Sequence, residues 1–301
     1  MEKQQLTLEE KQAIREALVA YIATYPSQTK AATSLKGTSV GTVNSIANGK
    51  FDNVSDAMFL RIRSQVGLEA ETTGWKICET TAYKDMDTFL EDAQRNHNVL
   101  WVVAPAGIGK STAARLYAQS HSGVYLLPCS EDMHKADFVG ELARKIGIRT
   151  EGLTVRETLM GITRELVKSR RPLLIFDEGD KLTDSVMYYF ISLYNALEDR
   201  CGIVFLSTRH IEKRMARGLQ ADRKGYEELY SRIGRRFVPL TSVDEGEVCA
   251  ICRANGLTDE SAVRKVVADS ATTDRGRTEY DLRRVRKSTL RQLKIEAARR
   301  M

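Results

Sequence analysis

The stretch Ala104-Pro-Ala-Gly-Ile-Gly-Lys-Ser111 sets two glycines, a lysine and a hydroxyl at a spacing suited to holding phosphate. The backbone N–H groups of such a loop converge on an anion at the positive end of the helix that follows. Pro105, Ala106, Gly107, Ile108, Gly109, Lys110, Ser111 and Thr112 are the expected ATP-binding residues. Lys110 would reach the β- and γ-phosphates, and the Ser111 hydroxyl would ligate Mg²⁺. The usual pattern opens on glycine where this chain has Ala104, a methyl that the end of a strand can tolerate. A second motif, Pro172-Leu-Leu-Ile-Phe-Asp-Glu178, is an apolar run ending in two carboxylates. Asp177 would hold the metal through its water shell, and Glu178 would polarise an attacking water. Two ordinary strands with polar ends is the bland alternative, but the two motifs together are far more specific than either alone. An Asn-Lys-x-Asp motif for guanine is absent, which favours ATP over GTP.

Two further groups complete this chemistry. Ser207-Thr208 follows another apolar run, and Thr208 at its tip is expected to position the water beside Glu178. Leu229-Tyr-Ser-Arg-Ile-Gly-Arg-Arg236 lies just before a last short strand. Oligomeric ATPases place there an arginine that completes a neighbouring subunit's site, so Arg232 is the expected finger, with Arg235 and Arg236 as fallbacks.

The elements that position these groups alternate. Strands are expected at Val99–Val103, Val124–Leu127, Leu173–Phe176, Ile203–Leu206 and Phe237–Leu240. Helices are expected at about Lys110–Gln119, Asp132–Ile146, Val155–Ser169 and Ser185–Leu197, giving an α/β fold with a parallel sheet covered on both faces. Residues 69–98 read as a connector in which Trp75 and the helical run Met86 to Gln94 pack onto this core. Residues 243–301 read as helices only. Residues 1–68 read as short helices, opening on the capping box Thr7-Leu-Glu-Glu10. Within them, a small-residue helix, a glycine turn and a helix with Val40, Val43 and Ile46 on one face make a helix-turn-helix pattern. Ser39, Thr42, Asn44 and Ser45 on the other face are candidate DNA-binding residues. A bundle used for protein contacts is the alternative. The expected domains are therefore 1–68, 69–242 and 243–301.

The chain of 301 residues has a formal net charge of +6. Residues 281–301 carry eight Lys/Arg against Asp281 and Glu296, which accounts for the whole excess and points to a polyanion partner. The basic stretch Arg209 to Lys224, with Lys213, Arg214 and Arg217, reads as a solvated loop able to meet DNA phosphates. Five scattered cysteines suit a reducing cytoplasm. The start is too polar for a signal peptide, and no segment approaches 18 uninterrupted apolar residues, so no membrane association is expected.

With these motifs assembled, the chain resembles the AAA+ ATPases, and among them the ATP-dependent target-DNA activators of transposable phages. The resemblance spans nearly the whole chain. It rests on Lys30 to Ser45, Pro105 to Ser111, Ile175 to Asp180, Gly202-Ile-Val204 and Leu229 to Ile233. It implies a P-loop core, an N-terminal helix-turn-helix bundle and a C-terminal helical lid. It also implies that Arg283 of Leu282-Arg283 senses the nucleotide, and that Arg149 and Arg156 are what remains of a basic cluster used for DNA. The function implied is ATP-driven assembly into a helical oligomer on double-stranded DNA with little sequence preference, delivery of that DNA to a transposase, stimulation of strand transfer, and release on hydrolysis. The sequence leaves two alternatives open: a helicase loader or replication initiator, and a nucleotide-switched transcription regulator.

Overall fold

The computed structural model describes residues 6–66, 74–274 and 276–300, so the expected boundary between residues 68 and 69 lies outside the described residues. Four helices come first: α1 (Leu8–Ala23), α2 (Gln28–Ser34), α3 (Val40–Ala47) and α4 (Asp56–Gln65). Each begins at a Ser or Thr whose side chain accepts a hydrogen bond from the first turn, and at α1 the Thr7–Glu10 capping box is made in both directions. Ile14, Leu18, Val43, Ile46, Phe59 and Ile62 form their shared core.

The chain continues through α5 (Thr81–Asn96), β1 (Val99–Val103), α6 (Lys110–Ser120), β2 (Val124–Pro128), α7 (Lys135–Ile146), α8 (Val155–Lys168), β3 (Leu173–Asp177) and α9 (Asp184–Leu197). It then passes through β4 (Gly202–Ser207), α10 (His210–Gln220), α11 (Tyr226–Arg232) and β5 (Val238–Pro239). The strands make one parallel sheet in the order β2-β3-β4-β1-β5. Apolar residues fill β3 and β4 on both faces because helices cover both sides. Trp101 is fully buried at the centre, stacked on Phe205 at 4.4 Å, and its Nε1 donates to Ser207 Oγ at 2.8 Å. The chain leaves β1 between β4 and β5 but crosses to β2 at the far edge. The loop after β1 therefore opens at a switch point, beside the tips of β4 and β3, where such sheets bind ligands.

The C-terminal part contains α12 (Glu245–Ala254), α13 (Glu260–Ser270), β6 (Ala271–Asp274), β7 (Arg277–Tyr280) and α14 (Leu282–Arg300). The antiparallel β6–β7 hairpin corrects the expectation of helices only. Its strands are short and mostly exposed, so apolar periodicity does not mark them; Thr272, Thr273, Thr278 and Tyr280 supply β-propensity, and Gly276 takes a positive φ of 78° in the turn. Among the described residues no helix is long and apolar enough to cross a membrane.

The stretch from Arg209 to Lys224 is a second correction: most of it is helix α10, not a loop. Its six cations obscure the buried Ile211 and Met215, which are spaced one helical turn apart. Arg214 points inward and is corrected as a DNA contact. Its guanidinium donates to the Asp180 and Leu182 carbonyls at 2.9 and 2.8 Å and pairs with Asp184. The Tyr226 hydroxyl accepts from Arg214 and donates to Asp184 at 2.8 Å. Lys213 and Arg217 remain exposed, one turn apart.

Arg214→Ala should therefore lower stability by about 2 kcal/mol, the scale of lost hydrogen bonds to a charged group, read as a lower urea midpoint. Lys213→Ala should leave the midpoint unchanged. Equal midpoints for the two variants would show that the Arg214 network contributes nothing.

Candidate nucleotide-binding site

The loop from Ala104 to Gly109 turns back on itself through two glycines in the left-handed region, Gly107 at φ 83° and Gly109 at φ 107°. Ala104 is fully buried and not among the residues of positive φ, so its methyl fits where the pattern usually has glycine. Gly109 caps α6 without any side-chain hydrogen bond, which leaves the orphan N–H groups of the first turn to an anion. Lys110 Nζ donates to the carbonyls of Ala104 and Pro105, at 2.8 and 2.9 Å. Burial holds its pKa down to about 8, with Arg283 acting the same way and Asp177 and Asp180 opposing.

Asp177 ends β3 next to this lysine. Burial pushes its carboxyl above the ordinary value, opposed by hydrogen bonds from the Ser111 hydroxyl and the Glu178 N–H. Ser111 and Asp177 together offer hard oxygen donors, the set that suits a hydrated Mg²⁺. Glu178 adopts a left-handed φ of 57°, and Lys181 Nζ lies 2.6 Å from its carboxylate. Thr208 donates to Asp180 at 2.8 Å, so it is Asp180, not Glu178, that engages this hydroxyl.

These groups line a cavity of about 740 Å³. The core contributes Ala106 to Thr112, Asp177, Glu178 and Thr208; the C-terminal part adds Ile251, Leu282, Arg283 and Arg286. Pro105 lies behind the cavity, offering its carbonyl to Lys110. The Leu282 N–H donates to the Gly107 carbonyl at 2.9 Å. A Cβ at Gly107 would meet the Asp281 carboxylate at 2.1 Å, so only glycine lets the C-terminal helix approach. Trp75, Ile77 and Tyr83 supply an apolar wall that sequence reasoning did not assign to the site. The local pattern marks Trp75 as a packing residue, and nothing in it says that its segment meets the phosphate loop. Asp281 escapes the sequence for the same reason, whereas Asp180 lies within the Ile175 to Asp180 stretch, whose pattern assigns it no role.

Arg232 is placed elsewhere. It donates to Asn195 at 3.1 Å, lies 3.7 Å from Glu228 and sits over the Tyr194 ring at 4.9 Å, and it does not line the cavity. Arg235 pairs with Glu227. Of the candidate DNA residues, Ser39 caps α3 by accepting from Thr42 N–H at 3.0 Å, and Thr42 also bonds its hydroxyl. Asn44 is exposed and accepts from Asn48 at 2.7 Å, while Ser45 is half-buried. Arg149 and Arg156 are exposed around the turn between α7 and α8.

Comparisons with known proteins agree with this geometry. The AAA domain family model matches residues 93–215. The Mu-like prophage FluMu DNA transposition protein B of Haemophilus influenzae is 26% identical over 190 residues, which span 62% of this chain and 64% of that protein, a little under two thirds of its length. The ATP-dependent target DNA activator B of Escherichia phage Mu is 23% identical over 223 residues, covering 72% of this chain and 70% of the relative. Among solved structures, the Aeropyrum pernix ORC1 protein in complex with DNA shares the fold at a TM-score of 0.51 and 16% identity, over 73% of this chain and 60% of that one. The match to the AAA domain model thus spans the strands and loops that line the cavity, and the chain is similar to the B transposition proteins of Mu-like phages.

Proposed function

We propose that this chain is an ATP-dependent DNA-binding ATPase that assembles on target DNA, delivers it to a transposase and stimulates transposition. The observation that carries the reading is the convergence of the phosphate loop, the Asp177–Glu178 pair and Arg283 on one cavity, in a chain similar to a protein named an ATP-dependent target DNA activator. That relative's name favours transposition over loading a helicase or regulating transcription. The working parts are residues 1–68, 69–242 and 243–301.

Each residue has a distinct task. The first-turn N–H groups of α6 and Lys110 hold the β- and γ-phosphates. Ser111 and Asp177 hold Mg²⁺, which supplies charge neutralisation on those phosphates. Glu178 exchanges its contact with Lys181 for a water and takes up the proton as that water attacks. Thr208, held by Asp180, orients the water. Arg283 joins the γ-phosphate from the lid side. Arg232 lies outside its own cavity, a placement compatible with action on the nucleotide of a neighbouring subunit, which would make assembly and hydrolysis interdependent. Double-stranded DNA is gripped through phosphates by Arg149, Arg156, Lys213 and Arg217, with Ser39, Thr42, Asn44 and Ser45 on α3, so affinity depends little on sequence.

Three outcomes test this reading. Lys110→Ala should abolish ATP binding and, with it, ATP-dependent binding of random-sequence duplex. Glu178→Gln should bind both but hydrolyse about a hundredfold more slowly or less; hydrolysis by Glu178→Gln at the wild-type rate removes that carboxylate from the mechanism.

The second outcome concerns pH. Bound phosphates favour the charged form of Lys110, so binding raises its pKa above the value of about 8 in the free site. Above that pH the free protein has lost the proton that binding must recover, and affinity should fall by about tenfold per pH unit until the bound-state pKa is reached. A titration calorimetry profile that stays flat between pH 7 and 9.5 would mean that Lys110 does not meet phosphate.

The third outcome concerns the finger. Lys110→Ala and Arg232→Ala proteins should each be inactive alone, yet regain part of the ATPase activity when mixed, because each supplies what the other lacks. No recovery at any ratio, with co-assembly shown by light scattering, would place Arg232 outside the reaction.

A further inference from the structure

The N-terminal helices are seated on the α/β core through α2. The Tyr25 hydroxyl donates to the Lys145 carbonyl at 2.8 Å, and Arg144 donates to the Ser34 carbonyl at 2.7 Å. Lys30 pairs with Glu165 on α8. The Tyr25 ring meets Tyr125 edge-on at 6.3 Å, and Tyr21 ties Tyr25 and Ser34 together by hydrogen bonds of 2.8 and 2.6 Å. At the end of α7, Gly147 takes a φ of 82°, and a Cβ there would lie 2.6 Å from the Lys30 carbonyl. The contact is thus close-packed, charged and hydrogen-bonded at once.

This seating brings two surfaces together. Helix α2 packs against both α3 and α7. Its Gln28 reaches Asn44 of α3 at 3.5 Å, while its Lys30 backbone abuts Gly147. Gln28 and Lys30 are neighbours on one helix, so Asn44 of α3 and Gly147 lie on the order of 10 Å apart, about a helix diameter. That spacing is less than the breadth of a duplex, whose major groove alone is about 12 Å wide. The surfaces also complement each other. Helix α3 carries no charged side chain, only Ser39, Thr42, Asn44, Ser45 and Asn48. Phosphate neutralisation supplies most of the affinity for DNA, so a neutral helix binds weakly alone. The turn between α7 and α8 presents the exposed cations Arg149 and Arg156 together with the exposed carboxylate Glu151, while Glu157 is turned back into the capping box of Thr154.

We propose that α3 and the α7–α8 turn form one composite surface for a single stretch of duplex DNA, with the Lys30–Glu165 and Tyr25–Lys145 contacts as the joint that holds its two halves in register. This rests on the DNA-binding reading above. It makes the N-terminal bundle part of the grip on DNA, where a flexibly tethered module would only raise the local concentration of binding sites.

The full chain with ATP and a short mixed-sequence duplex, followed by fluorescence anisotropy, tests the joint. Lys30→Glu and Glu165→Lys should each weaken binding by about tenfold, the scale lost when two sites are no longer held together, and the double exchange should return it to within about twofold of wild type. Glu165→Lys separates the joint from simple charge, because it adds positive charge and would tighten binding if only net charge mattered. Tyr25→Phe removes one interfacial hydrogen bond without changing charge and should weaken binding in the same direction. ATP binding at the wild-type level shows that each variant is folded. Folded Glu165→Lys protein that binds DNA as tightly as wild type or tighter, Tyr25→Phe protein unchanged in affinity, or a double exchange that restores nothing would each overturn the proposal. Wild-type protein that binds no duplex at all would instead remove the DNA-binding reading beneath it.

Discussion

The hydrogen bond from the Leu282 N–H to the Gly107 carbonyl joins the last helix of the chain to the loop that follows its first core strand. The nucleotide cavity depends on it, because without this contact the phosphate loop has a floor but no roof. The same turn is organised by Asp281, whose carboxylate accepts the Arg283 N–H at 2.9 Å and occupies the space a Cβ of Gly107 would need. One residue thereby starts α14, fixes its approach and aims Arg283 at the cavity. The third side is stitched to the roof as well: Lys76 exchanges backbone hydrogen bonds with the Asn255 amide, and Thr81 donates to Glu247. Three segments remote in sequence become neighbours because each finds its polar partners on another.

That arrangement explains what could be read in the sequence. The phosphate loop, the Asp177–Glu178 strand end and the sheet were legible because their signals are local: glycines flanking a lysine, apolar runs of strand length, polar residues at their tips. The wall formed by Trp75, Ile77 and Tyr83 was not, since its role exists only once the chain has closed on itself. Helix α10 was hidden by its own charge, and Arg214 shows why composition misleads: a guanidinium in a basic stretch looks solvated until Asp184 and Tyr226 are placed beside it. The β6–β7 hairpin escaped because its strands are short and exposed, and exposed strands owe little to alternation. Arg232 illustrates the converse, a motif recognised from spacing whose own cavity lies elsewhere.

The charges around the phosphate loop balance in a particular way. Lys110 is half-buried against two backbone carbonyls, which can stabilise a cation but not neutralise it. Asp177 is buried, and its burial raises its pKa while that of Lys110 falls. Each group is disfavoured in its charged form by burial, and in the roles proposed for them each would be relieved by an opposite charge, phosphate for the lysine and a cation for the carboxylate.

Glu178 carries a similar tension in its backbone. Its φ of 57° lies where a side chain crowds the following carbonyl, and where glycine or asparagine is more at ease. The conformation follows from the chain turning sharply off β3, which also returns the Glu178 N–H to Asp177. A sequence selected only for durability would place glycine at 178, and drift under that pressure alone would erase the carboxylate first. In the role proposed for Glu178, backbone ease and turnover therefore pull this position in opposite directions: a glycine would relax the turn and remove the carboxylate in one step.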